Sequence, residues 1–101
     1  MAKNLFINLS PQSLKDWDEK QIRTAQSLRK SIEIVDTPFP KITAKMKPCQ
    51  IRNLANYYVF VTLWYTKEYD TVFVHIMGEN SFVFYFVNQC KIIGIVYCFL
   101  Q

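Results

Sequence analysis

Three stretches of this chain are mostly apolar over the length of a strand: Lys3 to Leu9, Ser31 to Val35 and Thr71 to Ile76. Strict alternation of apolar and polar residues marks a sheet with one face in water. Near-continuous apolarity marks strands buried on both faces, as in a parallel sheet covered by helices. The intervening segments carry helical spacing instead. Leu14, Trp17, Gln21, Ala25 and Leu28 recur every three or four residues, and so do Ile51, Leu54, Ala55, Tyr58, Val59, Thr62 and Leu63. A chain that alternates these two periods is an α/β chain.

Punctuation sets the boundaries. Ser10-Pro11 stops strand one, because proline lacks an N–H for a central ladder. Asp16 with Glu19 three residues on predicts a capping box opening helix one. Asp36-Thr37-Pro38-Phe39-Pro40 ends strand two, where Glu33 suggests an edge, and sends the chain into a long crossover to about Lys47. Pro48 suits the first turn of helix two, expected from Cys49 to Lys67. A third helix is expected from Ser81 to Gln89 and a fourth strand from Ile92 to Leu100.

Right-handed crossovers then favour a four-stranded, mainly parallel sheet of order 2-1-3-4 with about three helices, a small Rossmann-like three-layer sandwich. With 101 residues it forms a single domain, residues 1–101.

Composition narrows the function classes. Half the residues are hydrophobic and only two are glycine, which excludes a disordered or collagen-like chain. Cys49, Cys90 and Cys98 form no CxxC pair and have no histidine near them, so they are expected as buried thiols in a reducing compartment, and the cytoplasm is the expected location. No metal site is expected. His75, inside a strand and without a second ligand at suitable spacing, is expected as a core or edge residue. Trp17 and Trp64 are expected as packing anchors. Phe82 to Leu100 approaches bilayer-spanning length, but Asn88, Gln89 and Lys91 at its centre make insertion costly, so no membrane partner is expected.

The candidate site is the break after strand three. In an open α/β sheet, ligands bind at the carboxyl ends of the strands, beside the switch in strand order, where the N–H groups of a starting helix can hold an anion. Gly78 would let a ligand approach the backbone, Asn80 or Ser81 could cap helix three, and Asn8 and Ser10 from the neighbouring loop would add amide and hydroxyl contacts. No acidic residue lies between Thr37 and Thr66, while Lys41, Lys45, Lys47 and Arg52 do, so Lys45 or Lys47 could bring positive charge to an anion. Glu79 works against a simple phosphate cradle unless it binds a cation or points away. No nucleophile and base stand together, so catalytic residues are not assigned.

Lys3-Asn4-Leu5-Phe6-Ile7-Asn8-Leu9-Ser10 leading to Trp17 and Gln21, then Ile34-Val35-Asp36-Thr37-Pro38-Phe39-Pro40 and Val74-His75-Ile76-Met77-Gly78-Glu79, resembles CRISPR-associated Rossmann-fold proteins over roughly residues 3–87. The resemblance implies a sensor or ring-nuclease-like domain that binds a cyclic oligoadenylate as a two-fold homodimer over the carboxyl edge of both sheets. The expected ligand set is Asn8, Ser10, Lys45, Gly78, Glu79, Asn80 and Ser81. In this chain Ser10-Pro11-Gln12-Ser13 stands where the family pattern has an Asn-His-Pro turn, so no histidine role carries over. The apolar run from Lys91 to Gln101 also departs from the pattern, and a truncated or frame-shifted terminus is the expectation that explains it. The competing expectation is an interaction module without a small-molecule ligand, in which aromatic helix faces form the working surface.

Overall fold

A computed structural model describes residues 3–93 and 96–98. It is a mixed α/β domain. Strands β1 (Asn4–Leu9), β2 (Ile32–Asp36) and β3 (Thr71–Ile76) pair in parallel in the order β2-β1-β3. A three-residue segment, β4 (Val96–Cys98), runs parallel beside Phe73–His75 of β3.

Three helices connect the strands: α1 (Glu19–Gln26), α2 (Pro48–Tyr65) and α3 (Asn80–Ile93). All six residues of the central strand β1 are buried, which is what its uninterrupted apolarity required.

The two faces of the sheet are covered unequally. Leu5, Ile7 and Leu9 of β1 and Val72, Val74 and Ile76 of β3 pack with Ile51, Ala55 and Val59 of α2 and Phe82, Phe86 and Cys90 of α3. The opposite face is smaller. There Phe6 and Phe73 meet Trp17 and Ala25, and partly buried Leu14, Ile22 and Leu28 close over them.

His75 lies in this second layer, buried, with its ring stacked 6.4 Å from Phe6 and edge-on to Trp17 at 5.5 Å. Burial pushes the Cys90 thiol, inside the first layer, up to about 12, where it stays protonated and inert. Cys49, by contrast, is exposed at the start of α2, and the Cys98 side chain lies outside the described residues.

Several expected boundaries move. Asp16 does not cap helix one, because it ends a short 3-10 turn (Leu14–Asp16), after which Trp17 is extended and turns into the core. The cap is Asp18. It accepts from Gln21 N at 2.8 Å while the Gln21 side chain accepts from Asp18 N at 3.0 Å, so the capping box exists two residues later than expected. Trp17 therefore reaches the core from a loop.

Helix α2 begins at Pro48, in the first position that proline favours. Helix α3 runs four residues past the expected Gln89. Its buried side chains Phe82, Phe86 and Cys90 fall at helical spacing, and Ile92 and Ile93 end the helix and do not start a strand. The expected strand Ile92–Leu100 is thus reduced to the pairing of Val96–Cys98, and residues 94, 95 and 99–101 lie outside the described residues. Glu33 faces outward on edge strand β2, where its carboxylate accepts from the Tyr69 hydroxyl.

Candidate functional site

The carboxyl ends of β1 and β2 frame an open cavity of about 480 Å³ lined by Ser10, Pro11, Ser13, Asp36, Thr37, Pro38, Phe39 and Pro40. Of the expected ligand set only Ser10 lines it. Asn8 lies beneath it, Lys45 is exposed on the crossover loop, and Asn80 and Ser81 border a separate surface depression with Phe84 and Tyr85. The single charged side chain in the lining is a carboxylate.

Asn8 and Ser10 are committed to the protein. The Asn8 amide, 1% exposed, donates to Asp36 Oδ1 at 2.7 Å and to the Gln12 carbonyl at 2.8 Å. Its own oxygen accepts from the Ser10 hydroxyl at 2.7 Å. Asp36 also accepts from Leu14 N through both oxygens, at 3.0 and 3.1 Å, and the Gln12 carbonyl receives Trp17 Nε1 at 3.3 Å as well. These bonds tie the end of β1 to the end of β2 and to the turn before α1. A buried amide with its donors and its oxygen already satisfied is a brace for the loop, not a ligand-reading group.

Gly78 is also structural. Its φ is +143°, a conformation L side chains rarely adopt. A Cβ there would collide with Cζ, Cε1 and Cε2 of Phe39. The absent side chain makes room for Phe39, which packs edge-on against buried Phe82 at 5.0 Å between ring centres. The close approach inferred for a ligand is made by an aromatic side chain of the chain itself.

The start of α3 is occupied too. Glu79 Oε1 accepts from Ser81 N and Oε2 from Phe82 N, each at 2.9 Å. Glu79, not Asn80 or Ser81, fills the capping role, and its carboxylate sits where an anion would have bound.

Those two N–H groups hold its carboxyl below the usual carboxylate value of 4.5. A lowered folded value stabilises the fold above the unfolded pKa, and the gain is lost as pH falls through the folded value. Glu79→Ala should therefore cost about 1 kcal/mol at neutral pH. The difference from the parent protein should shrink toward zero as urea unfolding is repeated below pH 4 or so; a gap that persists unchanged into acid would mean that the carboxylate is not the cap.

The competing expectation invoked aromatic helix faces without naming their residues, and exposed aromatic side chains lie on the outer surface of the α2–α3 layer. Tyr57, Phe60 and Trp64 on α2 are 61%, 73% and 65% exposed, and Phe84 and Ile92 on α3 are 61% and 76% exposed. Trp64 is thus no packing anchor. The signal was available: assigning Ile51, Leu54, Ala55, Tyr58, Val59, Thr62 and Leu63 to the buried side of α2 leaves Tyr57, Phe60 and Trp64 on the other side, where a helix covering a sheet should be polar.

Two depressions mark this surface. One of about 300 Å³ lies between the helices, lined by Asn56, Val59, Phe60, Leu63, Gln89 and Ile93. The other, about 550 Å³, is lined by Phe60, Leu63, Trp64, Thr66 and Lys67. Lys67 Nζ stands 4.9 Å over the Trp64 ring, within cation–π range.

No family model matches the chain, and neither a curated protein nor a solved structure matches it significantly. Among the described residues no group of three or more His, Cys, Asp or Glu side chains is placed to hold a metal ion, and no helix is long and apolar enough to cross a membrane.

Proposed function

We propose that this chain is a cytoplasmic Rossmann-like interaction module, a four-stranded three-layer sandwich that works through the outer face of α2 and α3 by docking onto a partner with an anionic surface. The observation that carries this reading is the exposed aromatic stripe Tyr57–Phe60–Trp64 of α2, together with exposed Phe84 and Ile92 on the adjoining helix α3. Large apolar side chains grouped on one surface mark a contact site, whereas single ones scattered over a surface need no explanation. The charge of the two helices fits an anionic partner, because α2 carries only Arg52, α3 only Lys91, and neither contains an acidic residue.

An apolar anion such as anilinonaphthalene sulfonate is a suitable probe. The double variant Phe60→Ser/Trp64→Ser should lose most of the dye fluorescence seen with the parent. Its thermal midpoint should stay nearly unchanged, because the replaced side chains are in water in both folded and unfolded states. Dye binding retained in full would remove the basis for this reading.

A second reading keeps the crevice as a ligand site. It is favoured by the position of the 480 Å³ opening at the carboxyl ends of β1 and β2, the edge at which open α/β sheets take ligands. On this reading the chain is a CRISPR-associated Rossmann-like domain, a homodimer that senses or turns over a nucleotide-like anion such as a cyclic oligoadenylate. A base would lie against Pro38, Phe39 and Pro40, and Lys41 and Lys45 would meet the phosphates. Asp36 in the lining and Glu79 at the start of α3 both oppose a phosphate, which is why this reading ranks second. Cyclic and linear oligoadenylates should raise the melting temperature by mass action if it holds; no shift at millimolar ligand would eliminate it.

A further inference from the structure

We propose, building on the interaction-module reading above, that the partner of the α2–α3 face is the surface of an anionic lipid bilayer, on which the domain docks peripherally without spanning it. Both helices connect the ends of parallel strands on the same side of the sheet, so they lie side by side and present one broad surface. Phe60, Trp64, Phe84 and Ile92 are exposed on it, and Phe60 borders two open depressions there. A broad surface studded with exposed aromatics suits insertion into the boundary between headgroups and acyl chains, where tryptophan and tyrosine are enriched.

Charge selects the kind of surface. Every formally charged residue within α2 and α3 is positive, and Lys47 and Lys67 flank α2. A second copy of the chain docked face to face would set these cations against one another, whereas an anionic bilayer complements them. Lysines beside an inserted aromatic stripe can extend their ammonium groups to phosphates while their stems stay in the apolar layer. Lys67, poised over the Trp64 ring, is placed to do so.

Trp64 is also a built-in reporter, because the chain has two tryptophans and Trp17 is buried against Phe6. Vesicles of phosphatidylglycerol mixed with phosphatidylcholine should shift the emission to the blue and carry the protein into the pellet. Pure phosphatidylcholine vesicles should do so much less. Trp64→Ser should weaken the partitioning about tenfold, and the charge reversals Lys67→Glu and Lys91→Glu should abolish the preference for phosphatidylglycerol. Binding should weaken as salt is raised.

Failure of the parent protein to bind anionic vesicles, or equal binding to neutral ones, would overturn the bilayer proposal. If the dye result holds while vesicles fail, the docking face stands but its partner is an acidic protein. A stable dimer in sedimentation equilibrium that Phe60→Ser dissociates would overturn the proposal in favour of a second copy. If dye and vesicles both fail, the docking face itself is lost.

Discussion

Gly78→Ala should destabilise the domain by about 3 kcal/mol, combining roughly 1–3 kcal/mol for a side chain held in a sparsely populated backbone region with 1–3 kcal/mol for overpacking. At φ +143° an alanine is strained whatever the space around it. Here the space is also taken, by three atoms of the Phe39 ring. Phe39 could swing away, but only by giving up its edge-on contact with Phe82.

The decisive measurement is a double-mutant cycle by urea unfolding. Phe39→Ala alone should cost stability through lost packing on Phe82. Combined with Gly78→Ala it should cost clearly less than the sum of the two single changes, since the collision disappears while the backbone strain remains. Strict additivity would show that Phe39 is not what demands the glycine. A ligand-binding role for Gly78 predicts something different: near-normal stability and impaired binding of an added oligoadenylate.

Asn8→Asp should be at least as damaging, and its damage should depend on pH. The Asn8 amide nitrogen lies 2.7 Å from Asp36 Oδ1 and 2.8 Å from the Gln12 carbonyl, both acceptors. Replacing the donor by a carboxylate oxygen sets acceptor against acceptor in a site that is 1% exposed. Breaking a buried network that involves a charge costs about 3–5 kcal/mol at neutral pH.

Burial and the nearby Asp36 carboxylate both disfavour a second negative charge, so the new carboxyl has a folded pKa above its unfolded value. Such a group favours the fold below the unfolded value, near 4, and stability falls as pH rises from there toward the folded value. The variant should therefore be most nearly normal around pH 4 and lose stability toward pH 7, the opposite trend from that of a cap carboxylate such as Glu79. A variant equally stable at both pH values would mean that the amide is not bracing Asp36. Asn8→Ala, which removes the donors without adding charge, should show a smaller loss of about 1–3 kcal/mol.

These two residues also show how local sequence marks a position without showing which groups of the chain meet it. Gly78 and Asn8 stand out because each breaks a pattern: a glycine ends an apolar strand, and an amide sits inside one. Both signals were real, since the backbone at Gly78 has positive φ and Asn8 lies near the carboxyl end of β1. Their partners, however, are distant in the chain. Phe39 lies in the crossover after β2, and Asp36 at the end of that strand, so spacing along the sequence could not show that the chain itself fills the sites offered to a ligand.

Glu79 is intermediate. Its sign already argued against a phosphate cradle, and the structure supplies the reason in its two bonds to the first N–H groups of α3. Lys45 was chosen for its charge alone, and charge does not place a residue on a long loop.

What the sequence determined by itself was the alternation of strand and helix and the parallel sheet, because continuous apolarity requires cover on both faces and a parallel connection must cross over that cover. It also fixed β3 to the residue and placed Pro48 at the start of α2, since both depend on side chains only a few positions apart. Tertiary structure decided three things. It put Trp17 in the core from a loop, it occupied the carboxyl edge with the chain's own Phe39, Asp36 and Glu79, and it left Tyr57, Phe60 and Trp64 facing water. Local pattern reveals which side chains are apolar, but which of them find cover depends on how many elements the domain has to cover them. Here the sheet takes one side of α2 and α3, and no further layer among the described residues covers the other.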